Sequence, residues 1–405
     1  MNKENNWNSE QALLVIAAGI AAIFLRVYLL KLAGYSFDVG TFISWGDKVH
    51  ELGIFGIYNT TNTFMIDYPP LIPLMTNWWM TFVRSINIGD VYGFKLLPTL
   101  AELVLTILAL VSIVKSNIKY KALFMAFVVL QVATAFITSG WGQVDAIMTL
   151  VIVLGYLTME KNQYFATVIF ALALLVKPQA AIAVFVYLFW ILFKKGLKQF
   201  FVNLLLGIAV LGVFGLIFII NGGNFLPILW NSASRYPYIS MNAFNFWWML
   251  YGSRAFSTPD SLGDISVKIQ GLTLFLAFLA PAIYYLINKD RSQADVFLLT
   301  SYAYLVFFTF LTQMHERYLY PAVALLPFAI MANKKVPLMY YVLSLTLLIN
   351  CFVVLQSAFP QFDFSFLRGL NLLGEWTKIV GAVNVIVAMY LAIYFTLSSL
   401  GAKSK

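Results

Sequence analysis

The feature that most constrains this chain is the recurrence of apolar runs long enough, or nearly so, to cross a bilayer. The first, Ala12–Leu32, follows a short polar start, and others lie at 95–114, 122–138, 144–159, 164–176, 178–193, 199–220, 268–288, 295–313, 316–331, 337–356 and 379–398. Hydrocarbon offers the backbone no hydrogen bonds, so such runs cross as helices. An untilted crossing takes roughly 20 residues. About twelve spans are therefore expected, with 164–176 and 178–193 open to the alternative of one long helix kinked at Pro178. Only 11% of residues are charged, against about 25% in a soluble domain. The expected fold is an all-α polytopic membrane protein, with residues 1–405 forming a single transmembrane domain and the first run retained rather than cleaved.

Charge sets the expected orientation. With the N-terminus inside, the inner segments hold 14 Lys and Arg, among them Lys115, Lys194, Lys195, Lys334 and Lys335, against 5 acids. The whole net charge of +9 then lies on one side, the distribution of cytoplasmic loops. That removes the case for nucleic acid that a basic chain otherwise raises. The expectation is an integral membrane protein with both termini cytoplasmic. The single cysteine, Cys351, excludes an intramolecular disulfide and a cysteine metal cluster. Two histidines cannot build a three-histidine zinc site. A divalent cation held by oxygen ligands is not expected, though three carboxylates leave it possible.

The segments expected outside are long: 33–94, 221–267 and 357–378. The first holds periodic apolar stretches, Val39–Gly53 and Pro73–Val83, that read as helices lying at the surface, the latter interfacial or re-entrant. Onto this one side fall the unusual polar residues: Asp38; Asp67 and Tyr68 of Asp-Tyr-Pro-Pro-Leu; Trp141, Gln143 and Asp145 of Trp-Gly-Gln-Val-Asp; Lys177 and Gln179; Arg235; and His315, Glu316 and Arg317. Each has an ordinary reading as a helix cap, a turn former, a snorkelling cation or a local salt bridge. Their shared depth is what favours a site, because ionisable residues at spans tend to be functional.

Three carboxylates and several cations around one cavity suit group transfer from a lipid-linked phosphate. A carboxylate takes the acceptor hydroxyl proton, and cations stabilise the leaving phosphate. Asp38, Asp67 and Asp145 compete for the role of base. Asp38 is favoured because a span anchors it on one side and a surface helix on the other. Lys177, Arg235, His315, Glu316 and Arg317 are the expected phosphate cluster, and Tyr68, Trp141, Gln143 and Gln179 the expected acceptor or sugar contacts.

These motifs resemble the polytopic glycosyltransferases of the C-type fold (GT-C), which use polyprenyl-phosphate sugars. The resemblance covers roughly the first 330 residues. It is nearest to the dolichyl-phosphate-glucose-dependent glucosyltransferases, and more distantly to the mannosyltransferases of glycolipid-anchor synthesis. Asp38 stands where that family has its catalytic acid, Asp67-Tyr68-Pro69-Pro70-Leu71 matches a family stretch, and His315-Glu316-Arg317 matches a motif beside the donor phosphate. Trp141–Asp145 departs from the eukaryotic pattern and looks closer to bacterial members, which leaves the hexose and the acceptor open. The resemblance implies an inverting hexosyltransferase, with a polyprenyl-phosphate hexose as donor and a lipid-linked or cell-envelope glycan as acceptor. Membrane lipids are its other partners, and no obligate protein partner is indicated. A multispan transporter or flippase, or a lipid-to-glycan ligase, are the alternative expectations.

Overall fold

The structure is a computed structural model and describes residues 9–59, 66–231, 236–261, 263–287, 291–356 and 374–400. Its helices are α1 (Ser9–Leu30), α2 (Ser36–Gly56), α3 (Leu71–Ser85), α4 (Asp90–Val114), α5 (Lys121–Leu130), α6 (Val132–Ala135), α7 (Asp145–Thr158), α8 (Gln163–Val176), α9 (Ala181–Lys195), α10 (Leu197–Ile220), α11 (Leu226–Asn231), α12 (Phe246–Tyr251), α13 (Val267–Ile287), α14 (Gln293–Phe310), α15 (Tyr320–Leu325), α16 (Val336–Leu355) and α17 (Trp376–Leu400). Among the described residues, nine helical stretches are long and apolar enough to cross a membrane. The chain is an all-α, multi-spanning integral membrane protein.

The difference between nine and the expected twelve has a physical origin in three places. The runs at 144–159 and 164–176 form helices of 14 residues each, short for an untilted crossing. The run at 316–331 is broken: a 3₁₀ turn (Glu316–Leu319), α15 and a second 3₁₀ turn (Leu326–Ala329) follow one another, with Pro321 and Pro327 opening the last two. Pro178 does not kink one long helix, because Lys177 before it is extended (φ −157°, ψ 131°) and a 3₁₀ turn Pro178–Ala180 leads into α9. That is the conformation a residue preceding proline prefers.

The expected surface helices of the first long segment are α2 and α3. α2 starts three residues before the expected Val39, so Asp38 lies inside its first turn rather than ahead of it; Gly53 (φ 71°) breaks the helical geometry near the other end. The two helices cross closely at Gly46, where an added Cβ would meet Thr76 Cγ2 at 2.9 Å, and Asn77 Nδ2 donates to Gly46 O at 3.0 Å. Arg84 of α3 ties this pair to the bundle, reaching Asp47 of α2 at 2.6 Å and Asp90 of α4 at 2.7 Å.

Two polar anchors inside the bundle fix the helices beneath α2. Arg26 of α1 pairs with Glu102 of α4 through two contacts of 2.7 and 2.9 Å, with both side chains buried. Thr134 of α6 adds a hydrogen bond to the same carboxylate at 2.9 Å. Lys95, fully buried, donates to Leu29 O at 3.0 Å and Leu32 O at 2.6 Å. It thereby binds carbonyls at and just beyond the end of α1, and places positive charge at the negative end of the helix dipole.

The segment expected as a second long loop, 221–267, is largely packed in its described part. Trp247 and Trp248 of α12 are buried, the first donating to Phe310 O at 2.7 Å and the second to Thr377 Oγ1 at 2.9 Å. Asn350 and Asn384, from α16 and α17, bind the backbone of Asn242 and Phe244. Buried amides in spans are costly unless bonded; here they hold this segment down onto the bundle.

Candidate functional site

The site is assembled at the end of the bundle where α1 stops and α4 begins. A π-helical turn, Phe136–Trp141, ends the third apolar stretch, and Gly142 follows with φ 94°. An L side chain is disfavoured there, and a Cβ at Gly142 would meet Val39 Cγ2 at 2.7 Å. Gly34 (φ 72°) is less crowded but close: a Cβ there would lie 3.1 Å from Val39 Cγ2 and 3.3 Å from Trp141 O. Tyr35 N donates to that same carbonyl at 3.3 Å. The two glycines let the start of α2 press against the Trp-Gly-Gln turn.

That contact defines the surroundings of Asp38. Trp141 Nε1 donates to Asp38 Oδ2 at 2.9 Å, and Gln143 Nε2 donates to the same oxygen at 2.5 Å. Both donors converge on Oδ2, and among the described residues none reaches Oδ1. Trp141 and Gln143, expected as acceptor or sugar contacts, therefore contact the carboxylate directly. The carboxamide of Gln143 is so engaged through its nitrogen, and its Oε1 is buried without a donor among the described residues.

Asp145 sits in a different environment. It is the first residue of α7; Lys177 Nζ lies 2.6 Å from its Oδ1, with both side chains almost wholly buried. Arg317 Nε is 3.9 Å from Oδ2. Arg317 also bonds Glu316 Oε1 at 2.9 Å and lies 5.2 Å from the Trp141 ring centre. The Lys177 ammonium lies 5.4 Å from the ring centre of Tyr68 and 5.1 Å from that of Tyr318. Such ring faces attract cations where water is excluded.

The structure thus brings Asp38, Tyr68, Trp141, Gln143, Asp145, Lys177, Glu316 and Arg317 into one contiguous cluster. Asp67 precedes Tyr68 at the turn into α3 and is partly buried. Gln179 lies two residues beyond Lys177; its carbonyl accepts from Tyr304 Oη at 3.0 Å. His315 stacks edge-on against Tyr236 at 5.1 Å, tilts against Tyr318 at 5.1 Å, and pairs by backbone with Met241 and Asn242. Burial, followed by the positive charges of Arg317 and Lys177, pushes the His315 pKa well below its usual value, which favours the neutral imidazole. Arg235 lies outside the described residues. No group of three potential metal ligands occurs among the described residues.

Tyr35 was not foreseen. Its ring meets Trp141 edge-on at 6.1 Å. Burial, then the Asp38 and Glu316 carboxylates, raise its pKa against the opposing pull of Arg317, so the phenol stays a neutral donor beside the cluster. The local signal was its place between Gly34 and Asp38. Lys95 and the Arg26–Glu102 pair were missed too, although ionisable residues inside apolar runs carry such a signal. Neither a protein-family model nor a curated protein matches the chain.

Proposed function

We propose that the protein is an inverting hexosyltransferase that uses a polyprenyl-phosphate hexose and works at the outer face of a bacterial plasma membrane, with both termini cytoplasmic. The observation that carries this reading is the asymmetric grip on Asp38: two N–H donors on Oδ2 fix the carboxylate while Oδ1 is left to accept a proton. In the proposed step the acceptor hydroxyl oxygen attacks the anomeric carbon and its proton passes to Asp38 Oδ1. The bond from that carbon to the phosphate oxygen breaks, and polyprenyl phosphate leaves with the electron pair. A single attack with no enzyme nucleophile inverts the centre. Arg317, across the Trp141 ring, stabilises the charge gained by the phosphate, with Lys177 held behind it on Asp145.

The chemical resemblance of the motifs also supports this reading, as does the position of the cluster at one end of an apolar bundle, where a lipid-anchored donor can present its headgroup. The test is incubation of purified protein with a radiolabelled polyprenyl-phosphate hexose and a glycolipid or glycan acceptor extract. Transfer of label to acceptor with release of polyprenyl phosphate is expected. No transfer from that donor, or transfer only from a nucleotide sugar, would overturn the proposal.

A transport reading rests on a separate observation: the Arg26–Glu102 pair within the spans, beside a helix interrupted at Gln131 (φ 21°, ψ 74°). Interrupted helices and paired charges within spans are features of transporter sites. Lipid or solute movement across protein-containing liposomes, with no glycosyl transfer, would favour it.

A further inference from the structure

Asp260 is a buried carboxylate outside the cluster described above, and its surroundings are unusual for one. Its backbone is fixed on both sides: its N–H donates to Pro237 O at 3.0 Å, and its carbonyl accepts from Lys268 N at 2.9 Å. Its side chain, 4% exposed as a residue, reaches across to the segment that leaves α14. Thr312 Oγ1 donates to Asp260 Oδ2 at 3.0 Å and Gln313 Nε2 to the same oxygen at 2.7 Å.

Those two residues need such an anchor. α14 ends at Phe310, and Leu311 is extended. Gln313 then adopts φ 65°, a left-handed conformation that L side chains other than Asn and Asp rarely take. Its N–H donates to Tyr238 O at 3.2 Å, and Met314 O accepts from Met241 N at 2.9 Å. The carboxamide presents its nitrogen to Asp260, while its Oε1 is buried without a donor among the described residues. The carboxylate therefore sets which way that amide faces. Immediately beyond come His315, Glu316 and Arg317.

We infer that Asp260 is a positioning residue. By holding Thr312 and Gln313 it fixes the left-handed turn that sets the depth and direction of His315 and Arg317 at the donor phosphate. It does not touch the substrate. This deepens the proposed function and rests on that reading for the identity of the donor. A buried carboxylate accepting from two neutral side chains is a strong, directional tie. The turn it holds stands only two residues before the imidazole and four before the guanidinium.

The test uses the full chain in detergent or nanodiscs, with Asp260→Ala and Asp260→Asn. Asp260→Ala removes the acceptor. Asp260→Asn keeps an amide that Gln313 can meet by turning its own carboxamide over, so it should recover most of the loss. Two readouts are needed. The first is backbone hydrogen exchange, which does not depend on activity: exchange over 311–317 should quicken in Asp260→Ala while 139–147 is unchanged. The second is kinetic, with a polyprenyl-phosphate hexose as the probe. The donor KM should rise about 10-fold or more in Asp260→Ala, with the acceptor KM held within about two-fold, and should return toward the native value in Asp260→Asn.

Unchanged exchange at 311–317 would overturn the anchoring. Faster exchange with an unchanged donor KM would overturn the positioning role, as would equal effects on both substrates. A failure of the underlying functional reading shows itself separately, as absence of transfer by the unsubstituted protein; faster exchange would then leave Asp260 as an anchor of the turn and overturn its role toward a donor.

Discussion

Lys177 Nζ lies 2.6 Å from Asp145 Oδ1, and neither side chain has more than 2% of its surface open. Removing one partner of such a pair strands a buried charge, at a cost of about 3–5 kcal/mol. Asp145→Leu is therefore expected to lower the thermal stability of the purified protein strongly. The double change Asp145→Leu with Lys177→Met should recover much of that loss, because no lone charge is left. Melting curves of the three proteins in one detergent check this. A single variant as stable as the native protein would show that the pair does not hold α7 against the end of α8.

Trp141 and Gln143 are predicted to act through Asp38. Trp141→Phe keeps most of the ring and deletes the N–H; Gln143→Leu deletes the other donor. Hydrogen bonds to a charged group are worth about 1.5–3 kcal/mol, so each variant should lose roughly 10–100-fold in turnover. If the two donors act as one device, the double variant should lose less than the product of the single effects. Turnover measured at saturating donor and acceptor decides the matter, and strictly multiplicative losses would argue for independent substrate contacts.

Gly142→Ala probes the packing that brings Asp38 to its donors. The residue has φ 94°, and its new Cβ would sit 2.7 Å from Val39 Cγ2 and 3.1 Å from Lys95 Cγ. A strained backbone of this kind costs about 1–3 kcal/mol, and displacement of Val39 moves its neighbour Asp38. Both stability and turnover should fall. A variant that is destabilised yet turns over at the native rate would dissociate this turn from the site.

His315 predicts a pH effect with a definite sign. Its folded pKa is depressed by burial and then by Arg317 and Lys177, whereas in the unfolded chain it titrates near about 6.5. Between the depressed value and about 6.5 the unfolded state binds more protons, so stability falls as the pH drops through that window. His315→Gln, which has no titration there, should flatten this part of the stability curve. Melting temperature against pH, native beside variant, measures it; parallel curves would mean that the imidazole titrates alike in both states.

What was legible in the sequence follows from what hydrocarbon enforces. Apolar runs declare themselves because the bilayer admits almost nothing else, and the helices of the first long segment showed in the periodicity of Val39–Gly53. Trp141 and Asp38 are 103 positions apart, and no local pattern states which donor meets which acceptor across that distance. Hence Trp141 and Gln143 read as substrate contacts, whereas the structure sets their N–H groups on the Asp38 carboxylate, and Asp145 read as a candidate base, whereas the structure sets Lys177 Nζ 2.6 Å from its Oδ1. Lys95, an ionisable residue at the edge of an apolar run, was a candidate for a role there, but its partners, the carbonyls of Leu29 and Leu32, lie 66 and 63 positions away. In 221–267, expected only as a long outer segment, the structure buries Trp247 and Trp248. Packing of that segment depends on Asn350 and Asn384, far downstream, whose amides look like incidental polar residues in apolar spans.

The most direct test of Asp38 as base is the turnover of Asp38→Asn in purified, folded protein given a polyprenyl-phosphate hexose and an acceptor. Asn preserves size, and its carboxamide oxygen can still accept from Trp141 Nε1 and Gln143 Nε2, so folding should survive. Removal of a general base costs roughly 10²–10⁴-fold in rate. A loss of that size with donor binding retained is the expected result. Turnover near the native rate would contradict the assignment of Asp38 and, with it, the step proposed for this site.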